Sequence, residues 1–370
     1  MKNNEILRTY GKNYKEMTMS LLEEADLKSL IDAKGTDRPR IGIKPNLVSP
    51  TPADYGATTH PEVVEGIVEY LQKNGFDRIV IMEGSWIGDT TEDAFEYCGY
   101  NSLAAAYGIE LIDMQKEKGV EVDAGDMTLK VCKCAKDVDF LINVPVLKGH
   151  CQTKITCALK NMKGLIPNSE KRRFHTMGLH DPIAHLNFYI RQDFIVVDHI
   201  CGDLDFEGGG NPYVSDCVMA AVDPVLTDAY VCDLLGYKTE DVKYIVEAAE
   251  LGVGSMDLNG LELKTVGEDD HEEVLPHIHR VLELGYVAED IDTCSACYEG
   301  LMEALDMMDK ENLLEMFKSK ICIGQGYRGK TGDFGVGNCT RLFKHTVAGC
   351  PPKAEDIFEA MKKWVETDNE

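Results

Sequence analysis

Asp139-Phe-Leu-Ile-Asn-Val144 and Asp193-Phe-Ile-Val-Val-Asp198 are short, almost unbroken apolar runs, each opened by an aspartate. Runs of this kind suit strands covered on both faces, as in the middle of a parallel sheet. Outward from them, Pro39-Arg-Ile-Gly-Ile-Lys-Pro45, Arg78-Ile-Val-Ile-Met-Glu83 and Ile109-Glu-Leu-Ile-Asp113 read as further strands. Helical patterns fall between and after them. One runs from His60 to Asn74 and is started by Thr59 and Pro61; others cover about 153–163, 181–191, 224–236 and 239–251. Strands alternating with helices predict an α/β fold, a mostly parallel sheet flanked by helices.

Three regions are expected. Residues 1–38 read as a helical lead-in, 39–270 as the α/β domain, and 285–370 as a smaller C-terminal α/β domain carrying a cysteine motif. The charged stretch Gly267-Glu-Asp-Asp-His-Glu-Glu273 has no periodicity and marks the boundary. Beyond it the pattern restarts with a helix near 296–309, a strand at Lys320–Gly324, a short helix near 339–344, a strand at His345–Gly349 and a terminal helix near 354–366.

The chain has 370 residues and a net charge of −26, which argues against nucleic acid as a partner because phosphate backbones are bound through Lys and Arg. No run approaches the ~20 apolar residues of a membrane span. The start Met1-Lys-Asn-Asn-Glu-Ile6 lacks the pattern of a signal peptide. A cytoplasmic protein without a membrane partner is expected. In that compartment the thirteen cysteines are not expected to form disulfides. Eight are scattered among apolar neighbours and suit core filling. The other five follow residue 290.

Four of those five form an ordered series: Cys294-x-x-Cys297, then Cys339 in Gly337-Asn-Cys-Thr340, then Cys350 in Gly349-Cys-Pro-Pro352. A Cys-x-x-Cys pair at a helix start offers two thiolates to one centre, and the helix amides there favour negative sulfur. Gly335-Val-Gly337 lets backbone approach a bulky group, and the two prolines stiffen the chain after Cys350. Four thiolates suit a [4Fe–4S] cluster or, alternatively, a structural zinc; unrelated free thiols are the bland reading. Cys322 sits on an expected strand and suits the core. The three elements, in this order, resemble the proximal-cluster site of nickel–iron hydrogenase small subunits. The last two also resemble the related quinone-reductase subunit of respiratory complex I. That resemblance implies a [4Fe–4S] cluster on Cys294, Cys297, Cys339 and Cys350.

A second feature is a basic segment in this acidic chain. Between 148 and 175 stand Lys148, Lys154, Lys160, Lys163, Lys171, Arg172 and Arg173 against the single acid Glu170. It begins at the carboxyl end of an expected strand, where ligands of open α/β sheets collect. Lys44, Asn46, Glu83, Ser85 and Asp89 also fall at or beyond strand ends. A crevice for an anionic small molecule is expected, with Lys44, Lys148, Lys160 and Lys163 binding it and His150 or His175 moving protons. The alternative is a solvated basic face. A metal centre among His60, His150, His175, His180 and His185 matches no compact spacing. Asp203, Asp205 and Glu207 alternate after a strand and could face one divalent cation, or simply a glycine-rich loop.

Lys44-Pro-Asn-Leu-Val48, Thr58-Thr-His-Pro-Glu-Val-Val64, Val144-Pro-Val-Leu-Lys-Gly-His150, Ala158-Leu-Lys-Asn-Met-Lys-Gly164 and Asp223-Pro-Val-Leu-Thr-Asp-Ala-Tyr230 occur in order. Together they resemble the family of domain of unknown function 362 over roughly 40–250. That resemblance implies an intracellular, iron–sulfur-associated protein. A redox enzyme or electron-transfer protein is therefore expected. No Gly-x-Gly-x-x-Gly fingerprint follows an early strand, so its electrons would come from a donor protein. A non-redox ligand-binding or transferase module with a structural cluster or zinc is the alternative. A metal or cluster assembly factor is the third.

Overall fold

Ile79–Glu83 is buried along its whole length in the computed structural model, as are Ile41–Pro45 and Phe140–Val144. Continuous burial is what their unbroken apolar runs require. The structure describes residues 1–267, 275–276 and 280–368; the expected boundary stretch lies, from Glu268 on, outside them. Two compact units divide the chain. One comprises Met1–Lys171 with Leu179–His277, the other Arg172–Gly178 with Ile278–Glu370.

The first unit is built on an eight-stranded sheet. Its order is Glu262–Thr265, Glu5–Tyr10, Pro212–Ala221, Phe194–Asp203, Phe140–Val144, Ile41–Pro45, Ile79–Glu83 and Glu110–Asp113. The last five run parallel, and Pro212–Ala221 is antiparallel to both its neighbours. Chain order spreads from Ile41–Pro45 to one side, then returns to place Phe140–Val144 on its other side. The sheet thus has a switch point, where a ligand crevice forms at the carboxyl ends. The helix Pro61–Lys73 starts on Pro61 and packs Val63, Val64, Ile67 and Leu71 into the core formed with Ile41, Ile43, Ile81 and Ile142.

Two local expectations are corrected. The lead-in is not wholly helical: Glu5–Tyr10 is a strand, paired with Pro212–Ala221 and Glu262–Thr265. Its partners lie more than two hundred residues away, so no local signal announces it. The helix expected at 153–163 begins later, because Lys154–Thr156 forms a hairpin with Lys148–His150. Helical turns cover only Ala158–Asn161 and Met162–Leu165.

The second unit has a four-stranded parallel sheet in chain order, Ala288–Asp290, Ile321–Ile323, Phe334–Val336 and His345–Val347. Helices Ser295–Lys310 and Ala354–Asp368 belong to the same unit. Phe317, Phe334 and Trp364 pack edge-on or tilted in its core.

Candidate functional site

Parallel strands put the loops that follow them on one edge. In the first unit that edge carries Lys44 in the last residues of one strand with Asn46 just beyond it, Glu83 at the end of the next, and Asn143 opposite Lys44 on the third. Lys44 and Glu83 form a buried ion pair, both almost wholly removed from solvent. The ammonium also donates to the Pro45 carbonyl at 2.6 Å and to Asn161 Oδ1 at 3.2 Å. Glu83 accepts from the amides of Leu47 at 3.1 Å and Gly84 at 2.6 Å. A buried charge pair holds only when its remaining hydrogen-bonding capacity is met in this way. The close approach of the 162–165 turn depends on glycine: a Cβ on Gly84 would stand 2.7 Å from the Gly164 carbonyl.

A cavity of about 70 Å³ opens beside this pair, lined by Asn46, Glu83, Trp86, Thr156, Lys160, Asn161, Lys163, Lys171 and Glu207 among others. Lys171 donates to the Gly84 and Ser85 carbonyls at 2.8 and 2.6 Å, and burial pulls its pKa down to about 8. Lys160 donates to Glu207 Oε1 at 2.6 Å and Thr156 Oγ1 at 3.2 Å. Lys160, Lys163 and Lys171 on the lining, against Glu207 and a Glu83 already paired with Lys44, leave the pocket positive inside an acidic protein.

Behind Glu207 stands His150. Its Nδ1 accepts from the amides of Gln152 at 2.9 Å and Thr153 at 3.1 Å, which places the ring proton on Nε2, 2.8 Å from Glu207 Oε2. Burial pushes His150 down to about 4, so it is neutral at pH 7. Against the penalty of burial, His150 and Lys160 hold Glu207 well below the usual carboxylate range. The pair is a neutral imidazole facing a carboxylate.

Several expected roles are placed differently. Lys44 and Lys148 are fully buried and spent on the protein. Lys148 donates to the Ala57 and Glu207 carbonyls at 2.6 and 2.9 Å and is not among the cavity-lining residues given above. Lys160 and Lys163 line the cavity. His150 reaches it only through Glu207. His175 lies in the second unit, on the segment Arg172–Gly178. The acid triad is not a cation cage. Asp203 accepts the amides of Asp205, Phe206 and Asn211, and Glu207 is held by Lys160 and His150. His60 is tied to Asp198 at 2.9 Å. Lys171, Asn161 and Asn143 escaped the site assignment. The signal for the asparagines was present as polar residues inside apolar runs.

In the second unit the carboxyl edge of the sheet gathers the cysteines. Cys294 caps the helix Ser295–Lys310, following the strand Ala288–Asp290, and Cys297 lies in its first turn. Cys339 follows Phe334–Val336 and Cys350 follows His345–Val347. The latter two loops are bonded together: Asn338 N donates to Gly349 O at 2.9 Å, and Gly349 N to Asn338 Oδ1 at 3.0 Å. Burial pushes the Cys297 thiol up, and Cys294, Cys350 and Cys339 push it further. Arg328 is held charged by Cys339, with Cys294 and Cys350 also in range. Among the described residues no three His, Cys, Asp or Glu side chains surround a ready-made metal position. The thiols share a neighbourhood.

Comparison with known proteins adds three findings. The family model described as domain of unknown function (DUF362) matches residues 41–233, just over half of the chain. A thylakoid-associated protein of Synechocystis sp. is 25% identical over 224 residues, 58% of this chain and 68% of that protein. Two solved structures, both 13% identical, align partially. The lactate racemase apoprotein of Thermoanaerobacterium thermosaccharolyticum aligns over 62% of this chain and 56% of that one, with a TM-score of 0.40. A Thermotoga maritima protein aligns over 70% and 62%, with a TM-score of 0.35. Among the described residues no helix is long and apolar enough to cross a membrane.

Proposed function

Because the chain belongs to the DUF362 family, whose defining domain has no assigned reaction, we propose a function from its two sites: an iron–sulfur electron-transfer protein or redox enzyme acting on a small anion. The observation that carries the cluster half is topological. Parallel strands deliver the loops of Cys294, Cys297, Cys339 and Cys350 to one sheet edge, although 41 residues separate the second from the third. This gathering is what the likeness to the hydrogenase proximal site calls for. The donor set, four thiols and no competing carboxylate in the series, fits a [4Fe–4S] cluster. Such a cluster supplies one-electron transfer when bound. Arg328, beside Cys339, would offset thiolate charge.

In the DUF362 unit, Lys160, Lys163 and Lys171 would hold the anion, and Glu207, backed by neutral His150, would fix the Lys160 ammonium beside it. A donor protein would supply the electrons. Anaerobic purification followed by iron, sulfide and zinc analysis tests the proposal. About four iron and four sulfide per chain are expected, falling sharply in Cys297→Ser but not in Cys322→Ser. Stoichiometric zinc without iron, or iron indifferent to Cys297, would overturn it.

A further inference from the structure

The amide of Asn46 has an orientation dictated from two ends of a buried network. At one end the Ala158 carbonyl can only accept, and Asn143 Nδ2 donates to it at 2.9 Å and to Gln192 Oε1 at 2.6 Å. Asn143 therefore presents Oδ1 to Asn161, whose Nδ2 donates to it at 2.7 Å. At the other end the Lys44 ammonium can only donate, and it meets Asn161 Oδ1 at 3.2 Å. Both ends demand the same orientation of Asn161. Asn161 Oδ1 in turn accepts from Asn46 Nδ2 at 2.8 Å. Flipping Asn46 would set oxygen against oxygen, so its Oδ1 must face away from the network.

That oxygen is buried and, among the described residues, has no protein donor, on a residue 4% exposed that lines the cavity. A buried acceptor left unmet is costly, and the site recovers that cost when a ligand brings a donor. On the same cavity, Lys160 and Lys171 each spend two ammonium hydrogens on protein acceptors among the described residues, out of the three that an ammonium carries.

We infer that the cavity selects a small oxyanion carrying its own hydroxyl hydrogen, the hydroxyl donating to Asn46 Oδ1 while the charged oxygens meet Lys160, Lys163 and Lys171. The inference rests on the reading of the cavity as an anion site. Its volume, about 70 Å³, has room for an anion of a few non-hydrogen atoms. Two sources share this chemistry, a short hydroxycarboxylate and hydrogenphosphate. Acetate and sulfate match them in size but have no O–H at neutral pH.

Titration calorimetry on the full iron-loaded chain at pH 7 tests it with glycolate against acetate and phosphate against sulfate. At least one hydroxylated member should bind about tenfold or more tighter than its partner, because its absence leaves the acceptor unpaired. Which pair discriminates identifies the source. Asn46→Ala should erase the preference, whereas Lys163→Met should weaken every anion and preserve it. The comparison in the unaltered protein decides the matter even if Asn46→Ala folds poorly. Anions that bind without regard to the hydroxyl overturn this inference and leave the anion site standing. Failure of all four to bind overturns both.

Discussion

Replacing Gly164 by alanine tests the packing beneath the cavity, because the structure expects the opposite sign from the usual rule. Gly164 lies in the turn Met162–Leu165. At a backbone position open to alanine, Gly→Ala commonly stabilises by about 0.4–1 kcal/mol through the unfolded chain. Here the added Cβ would stand 2.1 Å from Glu83 Oε1, 2.4 Å from Lys44 Cε and 2.6 Å from Lys44 Nζ. To reach ordinary contact the carboxylate must retreat by more than an ångström, which breaks its 2.6 Å bond from the Gly84 amide. Lys44, 0% exposed, cannot compensate with water, and Glu83, 2% exposed, can do so only on its cavity side. Overpacking alone costs about 1–3 kcal/mol. Parting a buried pair approaches about 3–5 kcal/mol. A net loss of about 3 kcal/mol is therefore expected, read as a lower urea midpoint followed by tryptophan fluorescence in a Trp364→Phe background, which leaves Trp86 beside the cavity as the reporter. In a Glu83→Ala background the penalty should shrink, because the nearest obstacle is gone. A Gly164→Ala protein as stable as the parent, or more so, would refute the geometry of the pair.

Acid should also expose His150. With its folded pKa near 4 against 6.5 for the free side chain, the unfolded state binds the extra proton between those values, so this contribution to stability falls as pH falls. The loss should reach about 2 kcal/mol by pH 5. Asp228, raised by burial to about 7, pulls the other way, so the comparison must be with His150→Gln. Parallel pH curves for the two proteins would remove the assignment. His60 has the reverse dependence. Although burial opposes it, Asp198 lifts His60 to about 10, so its stabilisation is full below about pH 6.5 and is lost as pH rises through 10. The stability gap between the parent and His60→Gln should narrow between pH 7 and 9.5; a constant gap contradicts the ion pair.

The amino-acid sequence alone was enough for the parallel strands, because a strand buried on both faces must be apolar throughout, and Ile79–Glu83, Phe140–Val144 and the start of Phe194–Asp203 wear that requirement openly. It also marked the cysteine series and the basic segment, since chemistry-bearing residues in unusual spacing need no partner to be seen. Glu5–Tyr10 was not legible as a strand, because its partners are remote in the chain and pairing is a long-range property. The same reason governs the sites. Which lysines face the cavity and which are locked on carbonyls depends on acceptors brought in by other strands: Ala57 and Glu207 for Lys148, Glu83 for Lys44, Gly84 and Ser85 for Lys171. Residue type announces a charge, but only the tertiary arrangement decides whether that charge is already paired. Likewise the sequence displayed four cysteines, and the parallel sheet decided that their loops share an edge.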